Sequence, residues 1–330
     1  MQTVLITGIT GLVGKHLMYR VLQSADFKVI GQYHTPRDLT EFETLHVEMR
    51  QADICNPKEI QGLSASCDII VHCAARVIDY GSKKDFYLAH YAATRWLLED
   101  ALKNHAKHFI YISSFGIATY IDRSQGLPNE ETPLIKSGVY YDDAKIDTEE
   151  YLKSFCVRHR IKYTIIRPAA VIGPESVWVK EPLKRASSCM GVKLIDQGKW
   201  DACLIDADNL ADGIFRTLTY PIAENQAYYF MDEYGVTWKE YLTDLLSIKG
   251  LHTKGNISKK TALLIAHFME FAFPLVGLKP ILGIKAVMAT GSDRRVSVDK
   301  ARKELEWQST VSYADAMNKI SNSLRNQSSD

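Results

Sequence analysis

The chain has 330 residues, of which 24% are charged and 46% apolar, and forty lysines and arginines against thirty-nine aspartates and glutamates leave a net charge of +1. That is enough chain for one large domain or two modest ones, in an ordinary globular composition. A charge this close to zero excludes a bulk field that recruits nucleic acid or an anionic surface, so a small-molecule partner is expected and nucleic acid is not.

In chain order, the first element is the apolar run Val4-Leu5-Ile6, ended by Thr7-Gly8. Leu12, Val13, Leu17, Val21 and Leu22 then recur at helical spacing, which predicts strand, tight turn and helix. The turn reads Gly8-Ile9-Thr10-Gly11-Leu12-Val13-Gly14. Gly8 permits the turn, Gly11 lets phosphates approach, and Gly14 allows the helix to pack closely on the sheet. In this context the backbone N–H groups and the helix dipole suit a pyrophosphate.

Further strands are predicted at 27–31, 68–72 and 108–112, with a helix over 85–104 between the last two, and at 163–167, where Pro168 stops the ladder. Strands alternating with helices predict an α/β fold, a Rossmann-type doubly wound parallel sheet. From residue 168 the pattern turns irregular, with Gly173-Pro174 and Pro182, and 203–217 returns to strand and helix. The expected division is a dinucleotide-binding Rossmann domain of residues 1–167 plus about 201–220, and a smaller, discontinuous C-terminal substrate-binding domain of 168–200 plus about 221–330.

Between them, Tyr141-Asp-Asp-Ala-Lys145 places a phenol and an ammonium four residues apart on one helix face. A nearby positive charge favours the phenolate, which makes proton exchange with a substrate oxygen feasible near neutrality. Tyr140, five residues before the lysine, points off that face. The six cysteines are scattered and read as reduced thiols; His105 and His108, spaced as on one helix face, have no third ligand in view, so no metal is expected. Met1 leads into a strand without a basic region and an apolar stretch, so the expected location is cytoplasmic. Residues 261–291 are rich in leucine and phenylalanine, but Glu270, Pro274, Lys279 and Pro280 interrupt them. A membrane span is not expected there; a core or lid helix pair is the first reading, and a helix resting on a membrane surface the second.

The glycine spacing, with Asp53-Ile54, His72-Cys-Ala74-Ala75, Ser113-Ser114, Tyr141-x-x-x-Lys145, Arg167-Pro168, Asp206-Ala-Asp-Asn209 and Asp299-Lys-Ala-Arg-Lys-Glu-Leu305, resembles the extended short-chain dehydrogenases/reductases of the NAD-dependent epimerase/dehydratase superfamily. The resemblance implies that Asp53 and Ile54 flank the adenine, that Ala74 and Ala75 line the cofactor path, and that Pro168 sits against the nicotinamide. It gives Tyr141, Lys145 and Ser114 the catalytic roles, with Lys145 also on the ribose and Ser113 left to capping or packing. Thr10, Leu12 and Val13 belong to the phosphate turn. One departure is His90, which stands where the family usually has asparagine.

No acidic residue ends the second strand, whereas His34, Thr35 and Arg37 follow it and could face a 2′-phosphate. NADP(H) is therefore the preferred cofactor and NAD(H) the alternative. Asp79-Tyr80-Gly81-Ser82-x-x-Asp85-Phe86-Tyr87 and the apolar C-terminal region resemble the 3β-hydroxysteroid dehydrogenase and dihydroflavonol reductase branch. The expected activity is interconversion of a carbonyl and an alcohol on a hydrophobic steroid-, flavonoid- or oxoacyl-like substrate. Residues 168–200 and the segment Leu263 to Ile284 are expected to close over that substrate. A nucleotide-sugar epimerase, and a non-catalytic NADP-sensing or membrane-docked protein, remain as alternatives, and a homodimer or a monomer is expected.

Overall fold

A computed structural model describes residues 1–77, 81–119, 121, 123–124 and 126–326. Asp79 and Tyr80 of the branch motif lie outside the described residues. The strands are β1 (Gln2–Thr7), β2 (Phe27–Tyr33), β3 (Glu48–Gln51), β4 (Ile69–His72), β5 (His108–Ile112), β6 (Lys162–Pro168), β7 (Ala170–Ile172), β8 (Leu194–Ile195), β9 (Leu204–Asp206), β10 (Gln226–Phe230) and β11 (Asn256–Ile257). Seven form one sheet in the order β10-β6-β5-β4-β1-β2-β3, every pair parallel.

The helices are α1 (Leu12–Leu22), α2 (Thr40–Thr44), α3 (Pro57–Ile60), α4 (Lys83–Tyr87), α5 (Ala93–Lys103), α6 (Tyr140–His159) and α7 (Val177–Ala186). After them come α8 (Ala207–Thr219), α9 (Trp238–Ser247), α10 (Lys259–Ala272), α11 (Ile284–Thr290), α12 (Asp299–Leu305) and α13 (Tyr313–Asn326).

Successive strand residues point to opposite faces, and here both faces are apolar because helices cover both. Val4, Ile6 and Ile110 enter a core with Leu17 of α1, Ile214 of α8 and Trp307 beyond α12. Leu5, Ile70 and Phe109 enter the other, with Leu97 of α5 and Phe155 of α6. The chain leaves β1 toward β2 on one side, while β4 lies on the other. Strand order reverses there, opening a crevice at the C-terminal strand ends.

Three local expectations need correction. The sheet takes a seventh strand from beyond residue 220, since β10 pairs with β6 from Gln226↔Thr164 to Phe230↔Pro168. Such long-range pairing has no signature in the spacing of the sequence. The expected helix at 85–104 starts at Lys83 and is divided by a π-turn over Leu88–Ala92. His105 and His108 share no helix: His105 sits in a turn at φ +61, and buried His108 opens β5 with its Nε2 2.9 Å from Thr164 Oγ1.

Outside the sheet, β7 and β9 pair and pack with α7, α9 and α13 around Val179, Trp238, Tyr241 and Ile320. This second core is tied to the first by Asn209 of α8. Its Oδ1 accepts the N–H groups of Thr310 at 3.0 Å and Val311 at 2.9 Å, and its Nδ2 donates to Asp232 Oδ2 and Val311 O. A fully used amide of this kind fixes a distant segment by direction as well as by contact.

Candidate active site

The glycine turn is a steric necessity in this fold. Gly8 has φ +63, and a Cβ there would lie 2.8 Å from Ala74 Cα. At Gly14 a Cβ would meet the Gly8 carbonyl oxygen at 2.4 Å, so only hydrogen allows α1 to begin so close to β1. Gly11 is the N-cap of α1, no side chain caps it, and the first helical turn carries no acidic residue. The exposed N–H groups and the bare glycine backbone form a cradle that fits a dinucleotide pyrophosphate. Buried Gln32 holds the turn, accepting the Gly8 N–H at 2.8 Å and donating to Ala52 O at 2.6 Å. A polar residue inside the apolar strand Val29-Ile30-Gly31-Gln32 was the available signal for it.

Helix α6 puts Tyr141, Lys145 and Glu149 at four-residue intervals on its buried side. Glu149 forms a two-pronged ion pair with Arg167 on β6, at 3.1 and 2.7 Å, and both side chains are 1% exposed. That pair holds α6 to the sheet one turn beyond the lysine. Lys145 Nζ donates to Ile112 O at 2.7 Å and stands 6.0 Å from the centre of the Tyr141 ring.

The expected effect of Lys145 on the phenol is corrected by this geometry. Burial pushes the Tyr141 phenol above its ordinary value and the Asp142 carboxylate adds to the rise, whereas Ser114 and Arg294 pull it down. Burial also lowers the Lys145 ammonium to about 7, with Glu149 opposing the change and Lys285 reinforcing it. Desolvation therefore outweighs the pairing read from the sequence. His90 lies in the π-turn with its ring 5.1 Å from that of Tyr141, edge to face, and burial holds it neutral.

Every residue singled out from the sequence for catalysis or cofactor contact lines one cavity of about 730 Å³. The glycine turn, His34, Arg37, Asp53 and Ile54 lie with Ala74, Ala75 and Pro168 along it, and Ser114, Tyr141 and Lys145 face the same space. His34 Nε2 is 3.7 Å from Asp53 Oδ2. The two serines differ in their surroundings. Ser114 Oγ accepts the Gly116 N–H at 3.0 Å and so caps the short turn Phe115–Ala118, while Ser113 is buried with no hydrogen-bond partner for its Oγ among the described residues.

The far wall also departs from the sequence reading. Trp178 and Val177 come from the 168–200 stretch, but Lys285 and Ala289 of α11 and the distant Arg294 complete the cavity, and the run from Leu263 to Ile284 does not line it. Arg294 is 8% exposed, donates from Nε to Thr119 Oγ1 at 3.0 Å and stacks 4.4 Å over Phe115. Lys285 Nζ lies 3.7 Å over the Tyr141 ring. Asp142 is 5% exposed, and its Oδ1 has no hydrogen-bond partner among the described residues. These three were missed because a cation 140 or more residues downstream carries no local pattern; only Asp142, next to the tyrosine, was in view. Among the described residues no group of three His, Cys, Asp or Glu side chains could hold a metal ion.

A parallel sheet with a glycine cradle at its order reversal and a Tyr-Lys-Ser cluster beside it defines a dinucleotide-dependent enzyme class. The NAD dependent epimerase/dehydratase family matches residues 4–228, and the chain belongs to it. It is 22% identical to a 2-alkyl-3-oxoalkanoate reductase of Shewanella oneidensis over 97% of this chain and 85% of that one. It is 24% identical to the decarboxylating sterol-4-alpha-carboxylate 3-dehydrogenase of Dictyostelium discoideum over 97% of this chain and all of the other. Among solved structures, a UDP-glucose 4-epimerase of Thermotoga maritima superposes with a TM-score of 0.75 at 19% identity, covering 99% of both chains, a likeness of fold.

Proposed function

We propose that this chain is an NAD(P)-dependent oxidoreductase that interconverts a ketone and an alcohol on a hydrophobic substrate bearing an acidic group. The observation that carries the reading is the convergence of Ser114, Tyr141 and Lys145 with the glycine cradle on one cavity. A nicotinamide dinucleotide bound along that cavity supplies or accepts the hydride. Tyr141, kept protonated by burial, gives its proton to the substrate oxygen during reduction, and Ser114 holds that oxygen. Lys145 orients the ribose and recovers positive charge when phosphate lies nearby.

The substrate class follows from the far wall. Trp178, Val177 and Ala289 offer apolar surface, and Lys285 and Arg294 add two cations over the Tyr141 and Phe115 rings, alongside the carboxylates of Asp142 and Glu175. The names of the two relatives, one a reductase and one a dehydrogenase, each describe a carboxylate on the carbon next to the position that changes oxidation state, which agrees with a hydrophobic 3-oxo acid or its 3-hydroxy counterpart. The same charged wall favours one second reading, a nucleotide sugar whose phosphates meet the cations and whose hydroxyls donate to Asp142. His34 and Arg37 favour NADP(H) over NAD(H) in either case.

The test is cofactor oxidation with a medium-chain 3-oxo acid, its methyl ester and UDP-glucose. Net oxidation with the acid, weaker with the ester, is expected, and Tyr141→Phe should lower turnover by ~10²–10⁴ with cofactor binding retained. Full turnover in that variant defeats the tyrosine assignment. Epimerisation of UDP-glucose without net cofactor oxidation would replace the reductase reading with the second.

A further inference from the structure

Helix α10 is turned the wrong way round for a helix in water. Its buried positions are Ala262 and Ala266, which pack on Ile195 and Val287, whereas Leu264, Phe268 and Phe271 point outward. These three recur at i, i+4 and i+7, one face of the helix. The outward face continues past the helix through Leu275, Val276, Leu278 and Ile281. Exposure reaches 76% at Phe271 and 75% at Leu275. An amphipathic helix normally buries its large apolar side chains and presents small or polar ones to solvent, so this face is built for a partner less polar than water.

Charge identifies the partner. Between Thr261 and Ile284 the charged residues are Glu270 and Lys279 alone. Glu270 is turned inward, where its Oε1 accepts the Ile284 N–H at 2.8 Å at the start of α11. The outward charges at the two ends of the apolar face are then Lys260 and Lys279, both exposed. An apolar centre with cations at its rim matches the interface of an anionic bilayer, where apolar side chains enter ~5–10 Å and lysines meet lipid phosphates. A second copy of the chain fits less well. Eleven residues between 264 and 281 are exposed, and a stable protein interface takes roughly 20–30 residues a side.

We infer that residues 264–281 dock the protein on an anionic lipid surface. Among the described residues no helix is long and apolar enough to cross a membrane, so the contact is with one leaflet. The docked face runs directly into α11, whose Lys285 and Ala289 line the cavity, so an apolar substrate leaving the leaflet enters beside Tyr141. The docking rests on this surface alone and stands or falls apart from the reductase reading.

Flotation of the full chain with vesicles tests it, because no turnover is read. The protein is expected to rise with phosphatidylcholine vesicles containing phosphatidylglycerol, less with phosphatidylcholine alone, and less again in high salt. Phe268→Ser/Phe271→Ser/Leu275→Ser should abolish flotation while NADPH binding and the thermal transition are kept. Lys260→Glu/Lys279→Glu, which leaves the apolar face intact, should weaken binding to the anionic vesicles at least 30-fold, about the value of two lysines at such a surface. Absence of wild-type flotation on anionic vesicles overturns the inference. So does a wild-type dimer that the serine variant dissociates in sedimentation, with no flotation by either, because the face then belongs to a second copy.

Discussion

Lys145 shows how one buried atom sets the behaviour of the site. Its ammonium is lowered from 10.5 to about 7 in the folded protein, so between those values the unfolded chain holds a proton that the folded one has lost. Stability therefore rises with pH from about 7 to 10, and below 7 the full cost of the buried charge is present. That cost is on the order of 5 kcal/mol, with the opposing contact of Glu149 already included. In the absence of cofactor, Lys145→Met is expected to raise the urea midpoint at pH 6 and to lose that advantage by pH 9.5. A variant less stable than wild type at both values would contradict the burial argument.

Arg37 lines the same cavity as an exposed cation, and the proposed NADP(H) preference gives it a role only against a ligand. Arg37→Ala should weaken NADPH by ~1.5–3 kcal/mol and leave NADH little changed, as measured by fluorescence titration. Tighter binding of NADH than NADPH to the wild-type protein would reject the preference for the phosphorylated cofactor.

At the scale of elements, the turn between β1 and α1 was legible because all its requirements are local. Three glycines within seven residues, an apolar strand before and helical spacing after specify the path of the backbone. The two later glycines answer different needs. A Cβ at Gly14 strikes the Gly8 carbonyl oxygen at 2.4 Å, but at Gly11 the nearest atom is that same oxygen at 3.3 Å. Gly14→Ala should therefore cost ~1–3 kcal/mol of stability in the free protein, whereas Gly11→Ala should melt near wild type and lose cofactor affinity. Equal melting temperatures for the two variants would show that α1 can shift to absorb the methyl group.

The same locality explains the Tyr141 and Lys145 pair, whose spacing is contained in one helix, and explains what stayed hidden. Glu149 continues that spacing by one more turn, but its meaning depends on Arg167 arriving from β6. Lys285 and Arg294 reach Tyr141 and Phe115 from more than 140 residues downstream. The apolar run at 261–291 was visible in composition, yet whether such residues are covered is decided by what packs on them, and here two alanines do the packing.

At the scale of the whole molecule, the sequence conveyed an alternating α/β chain followed by an irregular remainder, and the sheet and the second core around Trp238 follow that outline. It did not convey that the two parts are interleaved. β10 returns to the sheet between β7, α7 and β9 on one side and α9 and α13 on the other, all of the second core, and α12 adds Ala301 and Leu305 to the first. The pocket between them is consequently assembled from both parts, so neither could be cut away without opening it.

The amide of Asn209 carries a consequence for how the chain comes into being. Its partners Thr310 and Val311 lie up to 102 residues downstream, which a ribosome adds in about 5–20 s. Throughout that interval α8 can form and Nδ2 can find Asp232, but Oδ1 lacks the two N–H groups it must accept, and an unsatisfied buried amide oxygen is costly. The edge of β6 waits likewise until Gln226 to Phe230 have emerged. Native packing around α8 is thereby deferred until Thr310 and Val311 emerge, and the β6 edge, open until β10 pairs with it, is what a chaperone would find to hold.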